Sequence, residues 1–339
     1  MHLELDNYLK SDEIEAVKHL IENNDKFILT THVHPDGDGL GSELGLYYAL
    51  KERGKQVNIF NHNPVPRQYD FLNHDNIITD YSSIEHESII TRAQCCFVFD
   101  VSEWDRLRKL GADLRKHEIP IICIDHHPSK EKFGAININY PNASSTGEIV
   151  FLLLDALGVE FSKEISSALY TAILTDTGGF RFSNTTVNSH KMAGILIEQN
   201  IDTYKIYREV YEQEPLGKIK LLADILSNIQ FECDSKVAWC SITRAMLKKY
   251  DLAPSETDGL SDFSRRIANV EVSILFLEIE ESLTKISFRS NGSISINELA
   301  QSFGGGGHPY ASGALVRRPL NNVIEEFKEI ICNYHHINS

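Results

Sequence analysis

Basic charge is scarce. Against 48 aspartates and glutamates, the 339-residue chain sets only 33 lysines and arginines, for a formal charge of −15. Holding long duplex nucleic acid through a broad cationic surface needs the opposite balance, so duplex DNA is set aside as a partner. A small anionic substrate is not, because clustered carboxylates bind cations that in turn bind phosphate. Long apolar runs are also missing: no uninterrupted stretch is long enough to cross a bilayer, which argues against a membrane partner. Met1-His2-Leu3-Glu4-Leu5-Asp6 lacks the basic and apolar regions of a signal peptide. The six cysteines, Cys95, Cys96, Cys123, Cys233, Cys240 and Cys332, include no Cys-x-x-Cys pair. Several lie in apolar strand-like runs, so they read as reduced core residues of a cytoplasmic protein. No internal repeat or low-complexity tail is evident, and His335-His336 reads as tail with weak metal potential. What remains is ordinary globular composition, 42% hydrophobic and 24% charged, at a length that suggests about two domains.

An amphipathic helix around Asp12 to Glu22, with Ile14, Val17, Leu20 and Ile21 on one face, leads into a buried strand, Lys26 to Thr30. Further apolar runs follow at Gln56 to Phe60, Asn76 to Thr79, Cys95 to Phe99 and Ile119 to Ile124, separated by helical patterns. Such alternation implies right-handed β-α-β units and a parallel sheet. Helices are expected from Thr146 and over Ile165 to Thr175. From Val187 to about Phe231 the pattern is almost all helix, interrupted at Pro215-Leu216-Gly217, and reads as a connection between domains. A second α/β unit begins near Lys236, with strands at Val237 to Cys240, Val270 to Ile279 and Thr284 to Ser290, then a capped short helix at Ser295 to Gln301. The expected organisation is α/β with two domains: a parallel-sheet catalytic domain, 1–186, a helical linker, 187–231, and a smaller domain, 232–339.

The densest chemistry is Thr31-His32-Val33-His34-Pro35-Asp36-Gly37-Asp38-Gly39, at the carboxyl end of the first strand, where open α/β sheets place their sites. One imidazole and two carboxylates crowd this turn, and like charges so close repel unless neutralised. A divalent metal does this economically, since imidazole and carboxylate suit Mn²⁺, Zn²⁺ or Fe²⁺. A solvated Asp-Gly turn is the plainer alternative. Two more strands end the same way, one at Asp100 and one at Asp125-His126-His127. Chance would have to repeat itself at the same sheet edge, whereas one metal site requires that placement. Other signals stay open. The amides at Ser144-Ser145-Thr146 are able to receive a phosphate or simply cap a helix. Asp176, before Gly178-Gly179, is a helix cap or part of the site, and Arg181 is a surface cation or a phosphate contact.

Phe303-Gly304-Gly305-Gly306-Gly307-His308 is the second unusual stretch. Four glycines cost backbone entropy and pack no side chain, so a folded domain needs a reason to hold them. Close approach of backbone amides to a ligand oxygen supplies one, with His308 as donor or acid. A flexible linker is the alternative, but a linker does not normally run straight into His-Pro and the apolar Ala314-Leu315-Val316.

Taken together, His32-x-x-x-Asp36-x-Asp38, Asp100, Asp125-His126-His127, Asp176 and Gly304 to His308 resemble the DHH phosphoesterase family with its DHHA1 carboxy-terminal domain. Within it the chain looks most like the stand-alone oligoribonuclease and pAp phosphatase branch. The resemblance implies two divalent ions, Mn²⁺ by preference, with Fe²⁺ or Co²⁺ accepted by the same ligands. One ion would take His32, Asp36 and Asp100; the other Asp38, Asp100, His126 and Asp176, with Asp100 bridging. His127 and Asp125 would orient the site. Catalysis falls to Asp100, His127 and His308, and substrate binding to Arg289, Gly304, Gly305, Gly306, Gly307, His308 and Arg181. His34 departs from the pattern only as an incidental neighbour.

The implied reaction is attack by metal-activated water on a short 5′-phosphorylated oligoribonucleotide, a linear dinucleotide such as pApA, or the bisphosphate pAp. Closure of the two domains is expected, with 187–231 as hinge. The rivals are a polyphosphate or pyrophosphate hydrolase and a catalytically silent nucleotide-binding regulator. The sequence leaves room for a homodimer.

Overall fold

The computed structural model describes residues 8–128, 134–331 and 334. Cys332 and the His335-His336 pair lie outside these. Two compact units make up the chain, Met1–Gln213 and Glu214–Ser339.

In the first unit, six short apolar runs form a wholly parallel sheet: β1 (Lys26–Thr30), β2 (Gln56–Asn61), β3 (Ile78–Asp80), β4 (Cys95–Phe99), β5 (Ile121–Asp125) and β6 (Ile136–Asn139). Around it run α1 (Ser11–Asn23), α2 (Gly37–Glu52), α3 (Ser83–Ile90), α4 (Arg108–Lys116), α5 (Thr146–Ala156), α6 (Lys163–Asp176), α7 (Val187–Ile197) and α8 (Thr203–Tyr211). Strands β4 and β5 are apolar almost throughout because both faces are covered. Phe27, Leu29, Phe97, Phe99 and Ile122 pack with Leu40 and Leu44 of α2 and the apolar faces of α5 and α6. Ile28, Cys96, Val98 and Ile121 face the other way, onto Ile90 of α3 and Leu110 and Leu114 of α4. Fully burying Phe97 or Phe99 contributes about 1.5–3 kcal/mol each. Cys95, Cys96, Cys123 and Cys240 carry free, buried thiols.

Strand order is β3-β2-β1-β4-β5-β6, so the winding reverses between the adjacent β1 and β4. Open α/β sheets leave a crevice at such a reversal, outside the strands' carboxyl ends. His32 follows β1 there and Asp100 follows β4. Helix α2 is brought down onto α6 by a four-residue glycine spacing. A Cβ on Gly37 would lie 2.5 Å from Thr175 Cγ2, one on Gly41 2.3 Å from the Ala168 carbonyl oxygen, and one on Gly45 2.7 Å from Leu169 Cδ2. Only a bare backbone permits this approach, and it sets the start of α2, with Asp38, against the end of α6, with Asp176.

The second unit holds a mixed sheet ordered β11-β12-β10-β9-β8-β7. Its strands are β7 (Gln230–Glu232), β8 (Val237–Ile242), β9 (Val272–Glu280), β10 (Leu283–Ser290), β11 (Gly306–His308) and β12 (Ala311–Val316); β8 and β9 are parallel and the other pairs antiparallel. One face packs on α11 (Asn297–Ser302) and α12 (Leu320–Ile331), through Phe276, Phe288, Leu299 and Phe327. The other packs Cys240, Ile242 and Leu277 on Leu221 of α9 (Leu216–Ser227) and Leu247 of α10 (Arg244–Tyr250).

The two-domain α/β expectation therefore holds. The segment expected as a linker is divided: α7 and α8 belong to the first unit and α9 to the second, with the division after Gln213. Each helix follows its own apolar face, Met192 and Ile206 into one core and Leu221 and Ile225 into the other. The expected capped helix at Ser295 is corrected too. It starts at Asn297 with Ile296 in the cap position and no side-chain cap.

Candidate metal centre

Three strand ends and three helix ends supply one polar cluster in the first unit. Asp36 caps α2: its Oδ1 accepts from the amides of Asp38 and Gly39, both at 3.1 Å, and its Oδ2 lies 3.7 Å from His32 Nε2. Asp100 closes β4 with a left-handed backbone, φ 58°, a conformation that costs a non-glycine residue about 1–3 kcal/mol and recurs at functional sites. Its carboxylate lies 3.1 Å from His32 Nε2, 3.1 Å from His127 Nδ1 and 3.7 Å from His126 Nε2. Thr146 Oγ1 donates to it at 3.1 Å. Asp38, wholly buried, accepts from the amides of Thr146 and Gly147 at 2.7 and 2.8 Å. Those amides begin α5, where the helix dipole favours negative charge.

This corrects the option that the Ser144-Ser145-Thr146 amides receive a phosphate. The Thr146 and Gly147 donors are occupied by Asp38, and that of Glu148 by Ser145 Oγ. Gly147 is a glycine because α6 is close: a Cβ there would meet Ala172 Cβ at 2.4 Å.

The fit of a cation is tested by the two histidines. His32 donates Nδ1–H to the Val33 carbonyl at 2.7 Å, and His126 donates Nδ1–H to the Ala143 carbonyl at 3.2 Å. Anchored this way, each ring turns Nε2 toward the carboxylates, the orientation a metal-ligating imidazole takes. Among the described residues, Nε2 of His126 is buried without a hydrogen-bond partner. It stands 3.6 Å from Asp176 and 3.7 Å from both Asp38 and Asp100, too long for hydrogen bonds. A buried ring nitrogen held just out of hydrogen-bond range of three carboxylates has room for an ion between them, and the donor set suits a divalent one. Among the described residues, three overlapping groups have their ligand atoms within 4.8 Å of one another: His32, Asp36 and Asp100; Asp38, His126 and Asp176; Asp100, His126 and His127.

Metal-free electrostatics agree. Burial, reinforced by the charges of Asp100, Asp176 and Asp36, pushes the Asp38 carboxyl well up. Burial also pushes Asp176 up to about 6, with His126 opposing and Asp100 adding. For His32, burial pulls the ring down, but its hydrogen bond to Asp100 and the negative charges of Asp36 and Asp100 outweigh that, to about 9. Hydrogen bonds that His127 donates to Asp100 and Asp125 push its ring up to about 11. Asp100 is held low: its two histidine partners overcome its burial. Without cations, protons on His32 and His127 neutralise part of the cluster.

The other sequence-predicted residues are not among these ligand groups. Arg181, exposed, follows Asp176 by one turn and sets its guanidinium 5.1 Å over the Phe182 ring. His34 is exposed and its amide donates to Asn63. Arg289, His308 and the glycine run belong to the second unit. The run is neither linker nor open loop: Gly304 ends α11 in the left-handed region, and Gly306 to His308 form β11 against β12. A Cβ on Gly305 would lie 2.1 Å from the Gly313 carbonyl oxygen, so close strand packing explains that glycine. Gly306 has only Asn297 Oδ1, at 3.9 Å, in its Cβ direction. It lines a cavity of about 290 Å³ with Lys285, Arg289, Ser312 and Gly313. Arg289 and His308 both pair with Ala311, one on each side of β12, and so share a level of the sheet.

Sequence reasoning named the helix start at Thr146 without seeing that its amides and hydroxyl hold Asp38 and Asp100, and it missed a buried chain behind His32. Asn61 donates to Glu43 at 2.7 Å and accepts from the Thr31 amide at 3.1 Å. The spacing of Gly37, Gly41 and Gly45 was the available signal for the α2 and α6 contact; nothing marked Asn61.

Comparison with known proteins bears on this geometry. The description "DHH family, N-terminal domain" matches residues 26–173, and "DHHA1 domain" matches 236–335. A Thermus thermophilus protein named bifunctional oligoribonuclease and PAP phosphatase NrnA is 32% identical over 294 residues, 85% of this chain and 83% of that one. The chain belongs to the DHH family. A Bacillus subtilis DHH relative of the same name is 31% identical over 300 residues, covering 86% and 90%. A solved structure of an exopolyphosphatase-related protein from Bacteroides fragilis is 30% identical, with a TM-score of 0.92 over 97% of this chain and 98% of that one.

Proposed function

We propose that this DHH protein is a divalent-metal phosphoesterase, Mn²⁺ being the favoured ion, that hydrolyses short 5′-phosphorylated oligoribonucleotides and pAp. The observation that carries the reading is the buried Nε2 of His126, without a hydrogen-bond partner among the described residues, facing the carboxylates of Asp38, Asp100 and Asp176. His32, Asp36 and Asp100 would hold one ion, and Asp38, Asp100, His126 and Asp176 the other. When bound, such ions supply charge neutralisation at phosphoryl oxygens and acidify water for attack.

The chain's own groups do the rest. Thr146, by donating to Asp100, and the amides of Thr146 and Gly147, by donating to Asp38, fix which carboxylate oxygens face the centre. Val33 and Ala143 carbonyls fix the histidine tautomers. His127, its Nδ1–H shared between Asp125 and Asp100 at 3.0 and 3.1 Å, is assigned proton holding at the cluster's rim. In the second unit, Arg289 and Lys285 beside Gly306 offer cations and an open backbone to phosphate oxygens, with His308 as donor. The names of the Thermus and Bacillus relatives support oligoribonucleotide and PAP substrates.

Purified protein with Mn²⁺ should release mononucleotide from pApA and phosphate from pAp; release from neither would end the proposal. The name of the Bacteroides structure favours inorganic polyphosphate as a second reading. Polyphosphate cleaved faster than pApA would establish it.

A further inference from the structure

Beside the carboxylate cluster, the first unit carries an aromatic surface that neither its core nor the proposed chemistry uses. Tyr204, Tyr207 and Tyr211 recur on α8 at i, i+3 and i+7, and so share one face. The adjoining face, with Ile206 and Val210, packs on the core. Tyr204 is 71% exposed and Tyr207 44%, so neither ring anchors the fold. Tyr211 ties this face to the centre: its hydroxyl donates to the Leu174 carbonyl at 3.2 Å, two residues before Asp176. The Tyr211 and Tyr207 ring centroids are 4.9 Å apart. Tyr207 closes over the turn that leaves Asp176, and a Cβ on Gly179 would meet its Cε2 at 3.8 Å. Arg181 stands on the same turn, and its charge reaches the Tyr211 hydroxyl. A row of rings tied to the end of α6, two residues from Asp176, with a cation on the adjoining turn, complements a flat apolar base carrying a phosphate.

We infer that Tyr207, extended by Tyr204, stacks the base of the nucleotide whose phosphate lies at the carboxylate cluster, with Arg181 countering that phosphate's charge. The inference rests on the proposed nucleotide substrate. It adds a residue that separates nucleotides from base-free phosphate esters. Stacking on an aromatic ring has a π-face available in every base, so it selects for a base without selecting its identity.

The test is equilibrium binding to the full chain with Mn²⁺, by calorimetry, using adenosine 5′-monophosphate and ribose 5-phosphate as probes. Wild type should prefer the nucleotide by between about five- and 150-fold. Tyr207→Ala should erase most of that preference and Tyr207→Phe should keep it, with ribose 5-phosphate affinity the same in all three. Should Tyr207→Ala fold poorly, Tyr204→Ala, at the more exposed ring, should reduce the preference by a smaller factor. Equal binding of the two probes by wild type, or a preference that survives Tyr207→Ala and Tyr204→Ala together, overturns the inference. Protein that cleaves pApA without preferring the nucleotide overturns this inference alone. Protein that prefers it through Tyr207 but cleaves nothing overturns the proposed reaction alone.

Discussion

Asp176→Asn separates what the cluster costs the fold from what it does for a cation. The Asp176 carboxyl is pushed from its ordinary 3.8 up to about 6, mainly by burial. Between those values the native protein keeps a proton that the unfolded chain releases, so metal-free stability falls as pH rises through that window and stays lower above it. The displacement corresponds to about 3 kcal/mol, and the 29% of the side chain open to solvent trims this to about 2 kcal/mol. Asparagine keeps the shape, carries no charge and can still accept from Asn184 Nδ2, now 3.2 Å from Asp176 Oδ2. In chelator at pH 7.5 the variant should unfold about 4–8 °C above wild type in the transition of the first unit. Near pH 3 the two should coincide. Saturating Mn²⁺ at 100 times its dissociation constant should raise wild type by about 2.7 kcal/mol and the variant by much less, reversing their order. Calorimetric scans with chelator and with Mn²⁺, across that pH range, read both effects. A variant less stable than wild type in chelator at pH 7.5 would refute the electrostatic reasoning, and an equal gain from Mn²⁺ would refute the ligand role.

Asp100→Ala should abolish metal binding and turnover together, because it removes the carboxylate shared by two ligand groups; metal titration and pApA hydrolysis read this. His308→Ala should bind metal normally and lose turnover, as measured in the same two assays. Gly305→Ala should destabilise the second unit by about 1–3 kcal/mol or more, since its Cβ would lie 2.1 Å from the Gly313 oxygen. Gly306→Ala should change stability by less than about 0.5 kcal/mol while weakening substrate binding, and urea unfolding beside KM distinguishes the two.

Much of the fold was legible because the first sheet is buried on both faces, so its strands read as apolar runs ending in charge. The chemistry after β1, β4 and β5 was legible for the same reason: each strand delivers its polar residues at one edge. Segments whose structure depends on distant partners were less so. Ile136-Asn137-Ile138-Asn139 is an edge strand only half-buried, and β11 is made almost wholly of glycine; pairing with β5 and β12, not propensity, makes them strands. The amides of Thr146 and Gly147 looked free because the sequence does not show Asp38, more than a hundred residues earlier, arriving at the same helix end. Gly305 looked like a ligand contact because close approach to a strand and close approach to a phosphate ask the same of a residue. The helices between Val187 and Ser227 carried no signal for which core each would join, since they bury the same kinds of side chain, Leu196 and Ile206 in one and Leu221 and Ile225 in the other.

Anomalous diffraction from crystals grown with Mn²⁺ tests the central claim most directly. Two peaks are expected, one among His32, Asp36 and Asp100 and one among Asp38, Asp100, His126 and Asp176. No peak near His126 Nε2, or manganese bound only away from Asp100, would contradict it.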